Sequence, residues 1–197
     1  MKLTVASFFA DRLNLNGDQA NLLVLARRAA EYGHELEVVN ATSTSQLVGV
    51  DLVFVGHGSL AAWRSISEEL AKLNSALGES LVLAIGSGAE HVAKESGLAA
   101  QSDVHESRFM THKFLWHGEE FNLVGYVNSA SRGIDTTAVQ NRILSMLHGP
   151  LLAKNPALAD AILAMMLRKH GINLGEKSEA LKLIDELAQK ASQDASR

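Results

Sequence analysis

The chain has 197 residues, of which 47% are apolar and 20% charged, with two prolines and no cysteine. This composition excludes a disordered or collagen-like chain, disulfides and thiolate chemistry. Its formal charge of −4 is carried with the basic residues scattered, which argues against a nucleic-acid groove, and no run approaches the ~20 apolar residues that span a bilayer.

One domain over residues 1–197 is expected, with a polar tail from about residue 190. The opening Met1–Ala10 is too short for a signal peptide and is interrupted by Asp11-Arg12, so Leu3–Phe8 reads as the first strand and the chain as cytoplasmic. A helix is expected from near Asp18 to about Tyr32, with Leu22, Leu25, Ala26 and Ala29 on one face and Gly33 at its left-handed end. Glu35–Val39 alternates as a second strand. Asp51–Val55 is a third, buried on both faces, and it runs into the glycine corner Gly56-His57-Gly58-Ser59. His57 reads either as an exposed loop histidine or as part of a site at that corner.

A helix from about Ser67 to Leu77 precedes the apolar run Leu81–Ile85, which meets Gly86-Ser87-Gly88 and turns directly into a helical pattern. Strand, corner, helix is how α/β enzymes present a nucleophile above a sheet edge, and the nucleophile's position here is Gly86. Taken alone, the corner reads as a tight βα turn. From Val104 to Val127 the pattern becomes antiparallel, with the turn at His117-Gly118, and Gly125–Gly133 reads as a small polar loop carrying Arg132. His112, His117 and Glu119 match no established ligand spacing, so no metal and no cofactor are expected. Asn155 and Pro156 mark the cap and first position of a helix to about His170, followed by Gly171, and a last amphipathic helix spans about Ser178 to Gln189. The class is α/β: a doubly wound, mainly parallel sheet with flavodoxin-like layering and a small antiparallel hairpin addition.

Several segments, in order, resemble the class I glutamine amidotransferases of the cobyric acid synthase (CobB/CobQ) branch, and within it the GatD-type subunits of lipid II isoglutaminyl synthase. Leu13–Asn21 is similar to the family's M-N-L-Y-G-D-x-x-N, and Gly56-His57-Gly58-Ser59 stands where the family has G-G-G-Q. Ala84–Glu90 stands at A-I-C-G-G-Y-Q, and Gly125–Gly133 resembles G-F-E-N-H-G-G-R-T. His148–Leu152 with Asn155-Pro156 matches H-G-P-L-L and N-P. The resemblance implies an amidotransferase fold, a crevice with His148 as the retained base, and substrate contacts at Gly56, His57, Gly58, Asn128 and Arg132. It also implies ammonia delivery to a Mur-ligase-like (MurT-like) partner that amidates the D-glutamate of peptidoglycan precursors.

The departures fall on the chemistry. The family's cysteine is Gly86, its glutamine is Glu90, and the histidine of its N-H-G-G-R-T loop is Ser129. A thioester at position 86 is impossible, so glutaminase activity is expected to be absent and the chain to act as a binding or regulatory subunit that takes an amino acid or small anion. Two alternatives stand beside this: a hydrolase using Ser87 with His148, and a genuine GatD-type glutaminase subunit from which the nucleophile alone has been removed.

Overall fold

The computed structural model describes residues 1–95, 106–129 and 136–195. In chain order its first half runs β1 (Lys2–Phe8), α1 (Ala20–Glu31), β2 (Glu35–Ala41), a 3₁₀ turn at Thr44–Leu47, β3 (Leu52–Val55), α2 (Leu60–Ser65), α3 (Ser67–Leu77), β4 (Val82–Ile85) and α4 (Ser87–Glu95). The second half runs β5 (Glu106–Trp116), β6 (Glu119–Ser129), β7 (Thr136–Val139), β8 (Arg142–Ser145), β9 (Leu147–His148), α5 (Leu151–Lys154), α6 (Pro156–Arg168) and α7 (Glu179–Ala195).

The main sheet has the order β2-β1-β3-β4-β8-β7, parallel throughout except for β7, which pairs antiparallel with β8 at one edge. Strand alternation sorts its side chains cleanly between two cores. Leu3, Val5, Leu52, Phe54, Leu83 and Ile85 pack with α1, α6 and the hairpin on one side. Ala6, Phe8, Val53, Val55, Val82 and Ala84 pack with α2, α3 and α4 on the other. Because β3 and β4 are fully buried, both alternating sets must be apolar, which is why these strands read as unbroken hydrophobic runs. Each such Leu or Phe contributes about 1.5–3 kcal/mol by leaving water. The chain leaves β1 toward β2 and returns to β3 on β1's other side. The carboxyl ends of β1 and β3 therefore flank a topological switch point, the place where open α/β sheets hold ligands.

The hairpin β5–β6 turns at His117 and Gly118, both with positive φ (49° and 83°), the conformation that suits the twist of a two-residue loop. It forms a separate three-stranded sheet with β9 instead of extending the parallel one. The second hairpin strand, expected to end at Val127, continues through Asn128 to Ser129, and Gly125 is glycine because a Cβ there would lie 2.9 Å from Leu147 Cβ. Three further expectations are corrected. A short helix, α2, precedes α3, and its N-cap Ser59 accepts from the Ala62 N–H. The last helix continues to Ala195, through the polar stretch expected to trail from about residue 190. Asn155 stands at the N-cap position of α6 but does not cap it: its side chain accepts from Val124 N–H and donates to the Val124 and Leu151 carbonyls, fastening β6 to α5.

A buried ionic cluster closes the hairpin side of the molecule. Arg28 of α1 forks onto both carboxylate oxygens of Asp160 in α6 at 2.6 and 2.7 Å and reaches Asp185 of α7 at 2.7 Å. Lys177 completes it, 2.9 Å from Asp160 and 2.6 Å from Asp185. Mutual pairing is what allows an arginine that is only 3% exposed to remain charged.

Candidate functional site

The site forms at the carboxyl edge of the main sheet, where the loops after β1, β3 and β4 meet the segment after β9. Gly86 follows β4 with φ of +57°, a backbone state disfavoured for side chains other than those at such strained corners. Its N–H is bonded to the Ser145 carbonyl of β8 at 2.8 Å and its carbonyl receives the Glu90 N–H, so the corner is anchored at both ends. A Cβ built on Gly86 would lie 2.5 Å from Nδ1 of His57 and 2.7 Å from Cε1 of His148. The two imidazoles therefore occupy the volume a side chain at 86 would need. They meet edge to face, with ring centres 4.9 Å apart and planes at 86°.

Both rings are pinned. His148 accepts at Nδ1 from the Asn16 side-chain amide (2.8 Å) and donates from Nε2 to the Asn128 carbonyl (3.1 Å). His57 accepts at Nδ1 from the Ser87 N–H at 3.0 Å. Each is thus the neutral Nε2–H tautomer. Burial pushes both below the ordinary histidine value, His148 additionally because His57 stands beside it.

Asp18, fully buried, organises the approach of the loops. Its two carboxylate oxygens accept from the backbone N–H of His57 (2.9 Å) and of Gly149 (3.2 Å), tying the β3 corner to the glycine that follows His148. Burial raises its carboxyl above the usual range, while these two backbone bonds pull the other way. Asn21 reinforces the junction by donating to the Gly149 carbonyl and accepting from the Leu152 N–H. Gly56 is required for the close fit of β3's corner against the β1 loop, since a Cβ there would run into the Leu13 backbone carbonyl, and a Cβ on Gly58 would press on the Leu13 side chain.

An anion at the two glycine corners would need their backbone N–H groups free to donate. Instead four of them are bonded within the chain: His57 N–H to Asp18, Gly58 N–H to Ser87 Oγ, Gly86 N–H to Ser145 and Ser87 N–H to His57. Ser87, the alternative nucleophile, has its hydroxyl turned to the other side of the corner. Oγ accepts from Gly58 N–H (2.9 Å) and Trp63 Nε1–H (2.8 Å) and donates to the Gly58 carbonyl (3.0 Å), with no bond to His148.

The structure thus brings Gly56, His57, Gly58, Gly86, Ser87, His148 and the Asn128 carbonyl together. Arg132 lies outside the described residues. His112 bonds the Thr136 carbonyl through Nε2, and among the described residues no group of three or more His, Cys, Asp or Glu side chains is arranged to hold a metal ion. Nor is any described helix long and apolar enough to cross a membrane. Asn16 and Asp18 do not stand out in the sequence as site residues. Their signal was their place in the segment Leu13–Asn21, whose polar pattern has no helical or strand period to explain it.

No protein-family model matches the chain. It is 24% identical over 211 residues to the GatD subunit of lipid II isoglutaminyl synthase (glutamine-hydrolyzing) of Staphylococcus aureus strain N315, a match covering 87% of each chain. Among solved structures, a glutamine amidotransferase of Thermotoga maritima superposes over 98% of this chain and 93% of its own, with 11% identity and a TM-score of 0.49. The sequence similarity supports the GatD-like glutamine amidotransferase family for this chain.

Proposed function

We propose that this chain is a GatD-like subunit without glutaminase chemistry, a binding or regulatory module for a Mur-ligase-like (MurT-like) subunit that amidates peptidoglycan precursors in the cytoplasm. The observation that carries this reading is the elbow itself. Gly86 retains the strained backbone state of a nucleophile position, yet it offers no attacking atom, and two neutral imidazoles stand where a thiol would be. His148 keeps a fixed tautomer without a nucleophile to deprotonate, and removing the nucleophile from such a unit abolishes its chemistry. The bonded state of the corner amides points the same way, because an oxyanion hole needs donors aimed at the developing charge and free to receive it.

The similarity to the staphylococcal subunit supports the choice of partner, since that protein is a subunit of a synthase. The test has two arms. Purified chain, alone and with the Mur-ligase-like protein of its own source, is assayed for ammonia release from glutamine, with His148→Ala as control. Release no greater than the control together with formation of a stable complex is expected. Release above the control overturns the loss of activity, and failure to bind overturns the partnership.

A further inference from the structure

We propose that His57 and Gly86 are a single coupled exchange: the imidazole of His57 closes the elbow, and position 86 can take a side chain only when position 57 is emptied. The inference rests on the reading that the elbow has lost its nucleophile, and it names the residue that keeps it lost. A Cβ at 86 would meet His57 Nδ1 at 2.5 Å and Cγ at 3.0 Å, inside the contact distance of carbon and nitrogen. The nearer atoms belong to a ring held on three sides. Its Nδ1 is bonded to the Ser87 N–H, its ring meets that of His148 edge to face, and its own backbone N–H is bonded to buried Asp18. Swinging the ring aside would strip the Ser87 N–H of its partner, a buried amide at the start of α4. The same Cβ would lie 2.7 Å from Cε1 of His148, which is bonded through both nitrogens, so emptying position 57 removes the nearer of two obstructions.

His57 thus does two things that a small residue there would not. It fills the volume above Gly86, and it occupies the first amide of the helix that follows. The absent side chain at 86 and the imidazole at 57 fit one another.

The experiment is a double-mutant cycle on the full chain with Gly86→Ala, Gly86→Cys, His57→Gly and the two pairs, read by urea unfolding. The backbone strain of a side chain at a φ of +57° and its contact with His148 are common to both backgrounds and cancel, leaving the clash with His57. Either Gly86 substitution is expected to lower the folded-to-unfolded ratio roughly tenfold less in the His57→Gly background than in the unaltered one, the scale of coupling between touching residues. Because the chain has no cysteine, alkylation by iodoacetamide reports on the introduced thiol alone. Labelling under native conditions should be faster in the double variant than in Gly86→Cys. His57→Gly by itself should also speed hydrogen exchange at the Ser87 amide. Equal destabilisation and equal labelling in the two backgrounds, failure of both Gly86 variants to fold in the His57→Gly background, or unchanged exchange at Ser87 overturns the proposal. Ammonia release by the unaltered chain would overturn the loss of activity while leaving this cycle intact.

Discussion

The side-chain amide of Asn16 donates to Nδ1 of His148 at 2.8 Å, and this bond between residues 132 positions apart decides which ring nitrogen carries the proton. With Nδ1 accepting, the proton sits on Nε2 and is donated to the Asn128 carbonyl. Nitrogen NMR of the folded chain is expected to give His148 the pattern of an Nε2–H imidazole. Asn16→Asp exchanges the donor for a carboxylate, which favours a second ring proton and should raise the His148 pKa by about one unit or more. An unchanged titration midpoint in that variant would mean that the contact does not govern the ring.

The depressed histidines also set a pH dependence of stability. Starting from an ordinary value of 6.5, both His57 and His148 are lowered in the folded state, so between that value and the folded one the unfolded chain binds more protons. Stability is then greatest above 6.5 and falls as the pH drops through this window. Asp18 acts in the opposite sense lower down: its carboxyl is raised above 3.8, so the folded chain holds its proton more tightly and gains stability as the pH falls through that interval. Urea midpoints measured between about pH 7 and pH 5 should decline, and less steeply in His57→Gln, which removes the His57 contribution.

Arg28 offers a test of how the hairpin-side helices are held. Arg28→Ala leaves Asp160 and Asp185 facing each other with only Lys177 between them, and breaking a buried pair in this way costs about 3–5 kcal/mol. Hydrogen exchange should accelerate first in α7, whose ionic link to α1 runs through Asp185. Arg28→Lys retains charge but not the two-pronged contact with Asp160, so its urea midpoint should fall between those of Arg28→Ala and the unaltered chain.

Much of this architecture is legible from residue order. Leu52–Val55 and Val82–Ile85 announce themselves because burial on both faces forces every position to be apolar, and His117-Gly118 because a tight hairpin requires positive φ. Strand β8 is not legible. Its four residues begin with Arg142 and end with Ser145, and what makes them a strand is pairing with the distant β4. Asn155 misleads for a related reason: the local signal favours a helix cap, but the backbone of β6 and the Leu151 carbonyl take all the side chain's hydrogen bonds. At the site, the glycine corners and His148 are visible as a pattern. The role of His57 is not, because a histidine between two glycines looks like a loop residue until the ring is seen against Gly86. Asp18 is hidden similarly, since its partners are backbone amides 39 and 131 positions away.

Ser87 separates a structural hydroxyl from a reactive one. Its Oγ satisfies the Gly58 N–H and the Trp63 indole N–H and returns a bond to the Gly58 carbonyl, all in the buried interior of the corner. Ser87→Ala deletes the acceptor and leaves two buried donors unpaired, at about 1–3 kcal/mol each. The variant should unfold at lower urea concentration, and its tryptophan emission should shift, because Trp63 is one of only two tryptophans and loses its hydrogen bond to the corner. Ser87→Thr keeps the oxygen but adds a methyl group in a closed space, so it should recover part of the emission change and little of the stability. A nucleophilic serine would behave in the reverse way: its hydroxyl would be free of such bonds, alanine would leave stability nearly untouched, and any ester or amide hydrolysis by the chain would vanish. Stability loss without loss of a hydrolytic activity is the expected result. An unaltered urea midpoint accompanied by lost hydrolysis would instead establish Ser87 as the reactive group.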